Sequence, residues 1–257
     1  MIVTLTTDFG LADGYVGAVK GVILSIAPRV SIVDITHDVP PQDIHHAAFV
    51  MAQAASFFPP DTVHVAVVDP GVGGSRQGIA LARKRQFFVG PDNGIFSSFL
   101  DGKAVVHQLS NPDLWLPNPA ATFHGRDLFA PVAAHLVTGM PLAECGPAIM
   151  EPMRLIEWDV HRQQASFETS VVHVDHFGNC IIALPARRLI ELGEGPFLIF
   201  PQDRQPIGLH RTYGDVAPGE ALALVGSTGL IEIAVRDGSA AKVLDIGRGT
   251  QVRILVS

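Results

Sequence analysis

Residues 2–35 read IVTLTTDFGLADGYVGAVKGVILSIAPRVSIVDI. The opening six, Ile2–Thr7, are β-branched or apolar throughout, which is the composition of a strand. Residues 13–26 then place Val16, Val19, Val22, Ile23 and Ile26 at helical spacing, and Pro28 stops the run. Residues 30–35 form a second β-branched strand. A strand–helix–strand succession this compact is the unit from which layered α/β domains with mainly parallel sheets are built.

The same alternation continues downstream. Residues 43–57 read as a second helix, closed by Phe58-Pro59-Pro60, and residues 63–68 as a third strand running into Asp69-Pro70-Gly71-Val72-Gly73-Gly74. Short strands are expected over 78–82, 86–89 and 105–109, a turn at Gly90-Pro91-Asp92-Asn93-Gly94, and a helix over 126–137. Past residue 145 the pattern changes. Strands crowd together at 169–174, 179–184, 197–200, 221–225, 230–235 and 251–256, with a single helical pattern at 186–192. The chain therefore reads as an N-terminal α/β domain (residues 1–150), a linker (151–165) and a smaller C-terminal β-rich, barrel-like domain (166–257).

Composition narrows the function. Among 257 residues, 47% are apolar and 17% charged, against a usual charged share of about 25%; this excludes a disordered, solvating chain. The 25 glycines and 19 prolines follow no collagen period and point to many turns. Net charge is −7, and the densest basic cluster is Arg83-Lys84-Arg85, so neither a nucleic acid nor an anionic membrane is an expected partner. Apolar runs are strand-sized, short of the ~20 residues that span a bilayer, and the first residues read as a strand and not as a signal peptide. Cys145 and Cys180 make neither a disulfide framework nor a metal-binding spacing, and a reducing, cytoplasmic setting is expected.

Four clusters carry polar chemistry at ends of expected strands or helices, where α/β sheets place ligands. In Thr6-Thr7-Asp8-Phe9-Gly10, with Asp13 beyond, an acid closing an apolar strand suits a ribose diol or a metal; Asp8 or Asp13 as a helix cap is the plainer reading. In Asp69–Arg76 the glycines allow close backbone approach, yet neither a dinucleotide fingerprint nor a P-loop is present. A tight turn explains Pro70 and the glycines but leaves Asp69 and Arg76 unexplained. Thr122-Phe123-His124-Gly125-Arg126-Asp127 sets a histidine just ahead of a helix, whose first turn Arg126 and Asp127 would begin. Asp175-His176-Phe177-Gly178-Asn179 is, by itself, hairpin chemistry.

In this order, and with Gly90–Gly94 and the turn and strand of residues 226–234, these clusters resemble the S-adenosylmethionine hydrolase (S-adenosylmethionine hydroxide adenosyltransferase) family, whose relatives are the fluorinases and chlorinases. The resemblance spans nearly the whole chain. It implies attack of water or hydroxide on C5′ of S-adenosylmethionine, releasing methionine and leaving adenosine. The family's Asp-Arg-His set around the nucleophile falls on Asp69, Arg76 and His124. By the same resemblance Asp8 holds the ribose diol, and Asp13, Asp175 and Ser227 hold the amino-acid end. Phe177 and Tyr213 stack on adenine, and Asn179 bonds its edge. Gly125 stands where fluorinase-like enzymes use a serine, which argues against fluorination but does not by itself separate hydrolysis from chlorination. Gln42 stands where the halogenating relatives carry an aromatic residue, and Thr228 where they carry an arginine. The family further implies homotrimers with sites at subunit interfaces, and no metal or cofactor.

The implied chemistry is physically coherent. A sulfonium leaves as a neutral thioether and needs no general acid. The obstacle is water: with a bulk pKa of 15.7, forming free hydroxide at pH 7 costs about 12 kcal/mol. A cation beside the nucleophile, in-line placement and exclusion of bulk water all act on that barrier. Two other readings follow from the residues: a metal-dependent hydrolase with Asp8, Asp69, His124 and Asp127 as ligands, and an adenosine-binding module in which Asp69, Arg76 and His124 stand idle.

Overall fold

The structure, a computed structural model, describes residues 1–155, 160–202 and 204–256. It divides into two compact units, the first being Met1–Leu155.

In the first unit β1 (Ile2–Thr7), α1 (Tyr15–Ile26), β2 (Ser31–Thr36), α2 (Ile44–Ala55) and β3 (Val63–Val67) follow the expected alternation. After them come β4 (Gly78–Arg83), β5 (Gln86–Pro91), β6 (Val105–Gln108) and α3 (Ala130–Val137). The sheet order is β2-β1-β3-β5-β4-β6. Strands β2, β1, β3 and β5 are parallel, while β4 runs antiparallel to both its neighbours. The reversal is made by Lys84 and Arg85, at φ 51° and 62°, between the paired ends Arg83 and Gln86. Two central residues with positive φ suit the right-handed twist of a tight hairpin. The basic cluster noted in the sequence is thus a hairpin tip.

Strand β3 is buried along its whole length, because both faces of the sheet are covered. Val63, Val65 and Val67 join Val3 and Leu5 against Val19 and Ile23 of α1 and Val132 of α3. Ala66 and Val68 turn the other way, to Met51 of α2, Phe88 and Phe96. Full burial of one such aliphatic side chain is worth about 1.5–3 kcal/mol. Asp43 caps α2, its Oδ1 accepting from the His46 N–H (3.0 Å). Asp13 does not cap α1: Gly14 holds that position without a side-chain bond.

The expected helix over 126–137 is divided. Gly125–Phe129 forms a π-helical turn, in which the Ala130 N–H returns to the Gly125 carbonyl, and α3 begins only afterwards. Such widened turns recur at functional sites.

The second unit contains β7 (His161–Arg162), β8 (Ser166–Val174), β9 (Cys180–Pro185), β10 (Phe197–Pro201), β11 (Ile207–His210), β12 (Ala221–Val225), β13 (Leu230–Val235), the one-turn α4 (Ala240–Val243) and β14 (Gln251–Val256). Pairing runs β14-β10-β11-β12-β13-β9-β8 and closes through β8–β14, giving a seven-stranded barrel with β7 added outside β8. Closure removes sheet edges, and Phe167, Ile182, Leu184, Ile233 and Ile254 fill the interior. The helical pattern at 186–192 is a 3₁₀ segment, Ala186–Leu192. Strand β11 escapes sequence reading: it has four residues, includes Gly208 and follows Pro206.

Candidate active site

Thr7 of β1 lies opposite Val67 of β3. The two parallel strands therefore deliver Asp8 and Asp69 to the same end of the sheet. Beyond Asp69 the chain turns twice, with Val72 N–H donating to the Asp69 carbonyl (3.2 Å) and Gly74 N–H to the Gly71 carbonyl (3.0 Å). Gly73 takes φ +76°, and a Cβ there would run into the Ala121 carbonyl. These turns bring Arg76 back onto Asp69 as a two-pronged pair: Nε donates to Oδ1 at 2.9 Å and Nη2 to Oδ2. The same Nη2 lies 2.8 Å from His124 Nδ1. The Asp69 and Arg76 side chains are 6% and 11% exposed, and the guanidinium also faces the Phe129 ring at 5.3 Å.

Guanidinium nitrogens donate and never accept, so Nδ1 of His124 is the acceptor and its ring proton sits on Nε2. Burial, reinforced by the charge of Arg76, holds the His124 pKa below the ordinary histidine value, with Asp69 and Asp127 opposing in part. His124 therefore stays neutral where an ordinary histidine titrates. If catalysis needs neutral His124, the midpoint of the acidic limb of kcat/KM lies below about pH 6.5, the free-histidine value. An acidic limb at or above that pH would overturn this. The linked stability contribution has the same sign: it is complete above the unfolded-state pKa and declines as pH drops, because the unfolded chain takes up the proton first.

His124 owes its place to the π-turn that follows it. Asp127 is buried, accepts from the Ala120 N–H (2.8 Å) and pairs with Arg126 (2.6 and 2.9 Å). Burial pushes the Asp127 carboxyl up, but the bonds from Arg126 and Ala120 outweigh it and hold the pKa low. Asp127 is thus a brace for the 116–124 segment. Among the described residues no group of three or more His, Cys, Asp or Glu side chains is disposed to hold a metal ion.

Asp8, Phe9, Gln42, Asp69, Phe123 and His124 line a cavity of about 330 Å³. Arg76 is not in this lining and acts on it through Asp69 and His124. The Gln42 N–H donates to Asp8 Oδ2 at 2.9 Å, an arrangement that uses a left-handed Gln42 (φ 66°). Gly125 leaves little room beside His124: a Cβ there would meet Phe9 and Val67 at 3.3 Å.

A second cavity of about 420 Å³, in the barrel unit, is lined by Phe177, Asn179 and Tyr213 among others. Asp175 organises its rim. Oδ1 accepts from the N–H groups of Phe177 (2.9 Å) and Asn179 (2.8 Å), and Oδ2 from the Asn179 amide (3.0 Å). The hairpin reading of this segment is correct as local structure, and the same turn presents Phe177, 74% exposed, to solvent. Tyr213 Oη donates to Glu232 Oε1 at 2.5 Å. Burial and the neighbouring Asp175 push the Glu232 carboxyl up, against the Tyr213 bond; burial and Glu232 push the Tyr213 phenol up as well. Glu232 was missed in the sequence because alternation in β13 places it opposite Ile231 and Ile233, as a solvent-facing residue would be.

Of the residues singled out from the sequence, Asp8, Asp69, Arg76 and His124 come together in the first unit. Asp175, Phe177, Asn179 and Tyr213 do so in the second. Asp13 and Ser227 are exposed and line neither of these two cavities.

Family models place the chain independently. Residues 3–146 match the SAM hydroxide adenosyltransferase N-terminal domain and residues 169–253 its C-terminal domain. An (R)-S-adenosyl-L-methionine hydrolase of Salinispora tropica is 44% identical, over 98% of this chain and 97% of its own. One from Thermus thermophilus is 39% identical, over 97% of each. The crystal structure of an uncharacterized conserved protein from Thermotoga maritima superposes with a TM-score of 0.93 at 37% identity, covering 99% of this chain and 100% of that one. With both units matched and such identity along nearly its full length, the chain belongs to the SAM hydroxide adenosyltransferase family.

Proposed function

We propose that this protein is an enzyme that hydrolyses (R)-S-adenosyl-L-methionine to adenosine and L-methionine. The observation that carries the reading is Arg76 gripping Asp69 and His124 at once beside a cavity that also exposes Asp8. The names of the similar hydrolases support the substrate.

In the proposed reaction a water oxygen forms the bond to C5′ while the C5′–S bond breaks, its electron pair going to sulfur. As the C–O bond forms, the water becomes strongly acidic, and a carboxylate suffices to take its proton. Of the three central residues only Asp69 has acceptor capacity left: Arg76 has none, and His124 uses Nδ1 on Arg76 and carries a proton on Nε2. His124 thus orients the water and Asp69 receives the proton. Arg76 fixes both, so that the donor and the acceptor meet the water in a preorganised geometry. The scheme calls for no metal and no cofactor.

Asp8 holds the ribose diol in this reading. Asp8→Ala raises KM by about 10- to 100-fold, the worth of one hydrogen bond to a charged group, with a smaller change in kcat. A fall confined to kcat in steady-state assays would place Asp8 in the chemistry instead.

The aromatic and amide contacts for adenine, Phe177, Tyr213 and Asn179, belong to the barrel unit. In the proposed homotrimer a neighbouring copy supplies them, and light scattering coupled to size-exclusion chromatography tests the mass. A cytoplasmic setting completes the proposal, supported by Cys145 and Cys180, which are both unpaired and buried. No helix among the described residues is long and apolar enough to cross a membrane.

The deciding experiment incubates the protein with S-adenosylmethionine in halide-free buffer, with chloride, and with EDTA, and identifies products by chromatography with mass detection. Adenosine and methionine in all three are expected. Halogenated adenosine, loss of activity in EDTA, or adenosine bound without turnover would each overturn the proposal in favour of a halogenase, a metal-dependent hydrolase or a binding module.

A further inference from the structure

The turn Gly90-Pro91-Asp92-Asn93-Gly94 has no part in the scheme above, yet it lies along the end of β3. The β3–β5 ladder stops at Val65 and Val89. Beyond it β5 stays close. A Cβ on Gly90 would lie 2.3 Å from the Ala66 carbonyl oxygen, so only glycine lets the two backbones run this near. Two residues past Ala66, just beyond the end of β3, the carbonyl of fully buried Val68 lies outside the strand pairings of the described residues. The Asn93 side chain pairs with it instead: its Nδ2 donates to the Val68 carbonyl at 2.8 Å, and its Oδ1 accepts from the Ile95 N–H at 3.2 Å. Both ends of the amide are in use, so its orientation is determined.

The Val68 carbonyl and the Asp69 nitrogen belong to one rigid peptide plane. Fixing the carbonyl fixes the direction in which the chain enters Asp69. The rest of the motif holds Asn93 in turn. Asp92 N–H donates to the Gln77 carbonyl (2.8 Å), one residue from Arg76, and Asp92 Oδ1 accepts from the Met153 N–H (2.8 Å). Gly94, at φ +92°, packs against Leu155, where a Cβ would meet backbone nitrogen at 2.8 Å. One turn therefore grips the chain beside both partners of the Asp69–Arg76 pair.

We propose that Asn93 is a positioning residue for the reaction, setting Asp69 against Arg76 and the nucleophilic water through the Val68–Asp69 peptide. The inference rests on the hydrolase reading for its kinetic consequence, not for its geometric one. Asn93→Ala lowers kcat by about 10- to 100-fold, the scale of a misplacement near 1 Å, with KM changed less than about threefold. In an Asp69→Asn background the same substitution changes kcat less than about twofold, since residues acting through one another are not additive. Asn93→Asp keeps the size and the Ile95 bond but sets oxygen against the Val68 carbonyl; it reproduces the defect and serves should Asn93→Ala fail to fold.

A second readout needs no substrate. The Arg76 Nε–H, bonded to Asp69, gives a shifted, slowly exchanging signal in nitrogen-15 spectra, and both Asn93 variants weaken it. An unchanged signal, an unchanged kcat, or equal kcat losses with and without Asp69 would each overturn the proposal. A wild-type protein that leaves S-adenosylmethionine intact would overturn the hydrolase reading alone, and the Arg76 signal would still decide the role of Asn93.

Discussion

Arg76→Met lowers turnover by about 100-fold or more, the scale of misplacing reacting groups by about 1 Å, while the fold persists. Methionine keeps an unbranched aliphatic stem and deletes the guanidinium head, which faces the Phe129 ring. That head makes the bonds to Asp69 Oδ1 and Oδ2 and to His124 Nδ1. Without it the carboxylate and the imidazole lose their common anchor together. Asp69, with a side chain 6% exposed, is left as a nearly buried charge without a partner, a situation that costs up to about 3–5 kcal/mol. Stability and catalysis separate in the double variant Asp69→Asn, Arg76→Met: neutralising the orphaned charge restores most of the stability, and turnover stays low. Arg76→Lys does not rescue, because an ammonium cannot serve a carboxylate and a ring nitrogen in the fixed fork of a guanidinium. Single-turnover kinetics and urea unfolding measure both quantities. Turnover within threefold of wild type in Arg76→Met would show that the bridge has no part in the chemistry.

Gly73→Ala has the second large effect. At φ +76° an alanine pays the left-handed penalty, about 1–2 kcal/mol, and its Cβ would lie 2.6 Å from the Ala121 carbonyl oxygen. Backbone lies on both sides of that contact, so relief requires the loop bearing Asp69 and Arg76 to part from the segment leading to His124. A separation of about 1 Å is enough to cost some 100-fold in rate, because it pulls directly on the 2.8 Å Arg76–His124 bond. Gly219, at φ +84° in the barrel unit with nothing near its missing Cβ, is the control. Gly219→Ala carries the conformational penalty alone and leaves turnover intact. Calorimetric melting with steady-state assays compares the pair. Equal effects on rate would refute the argument from close approach.

Much of the architecture was legible because its signals are local. The β-branched run of β3 and the helical spacing of Val16, Val19 and Ile23 are properties of a few neighbouring side chains. So is the stop at Pro28. They point to parallel strands whose ends carry Asp8 and Asp69. The hairpin at Lys84 and Arg85 was illegible as such, since neither residue advertises the positive φ that the strand pairing imposes on it. The same holds for the π-turn at Gly125–Phe129: a helical pattern reports a period, and the extra residue per turn comes from bonds to Ala120 and Leu116 outside the helix. Strand β11 exists because its neighbours in the barrel supply partners.

The site divides along the same line. Sequence alone determined which chemical groups are present and in what order, and through the resemblance it named Asp69, Arg76 and His124 as one set. Their separations of 7 and 48 residues along the chain say nothing of which atom meets which. Only the tertiary structure decided that Arg76 bridges the other two from outside the cavity lining and that His124 carries its proton on Nε2. The tertiary structure also gave Asn93, read in the sequence only as part of a turn, the carbonyl that leads into Asp69. The reason is physical: a side chain's identity sets what it can donate or accept, but a hydrogen bond forms within about 3 Å and a narrow range of angles, and only the packed backbone brings groups from distant parts of the chain into that range.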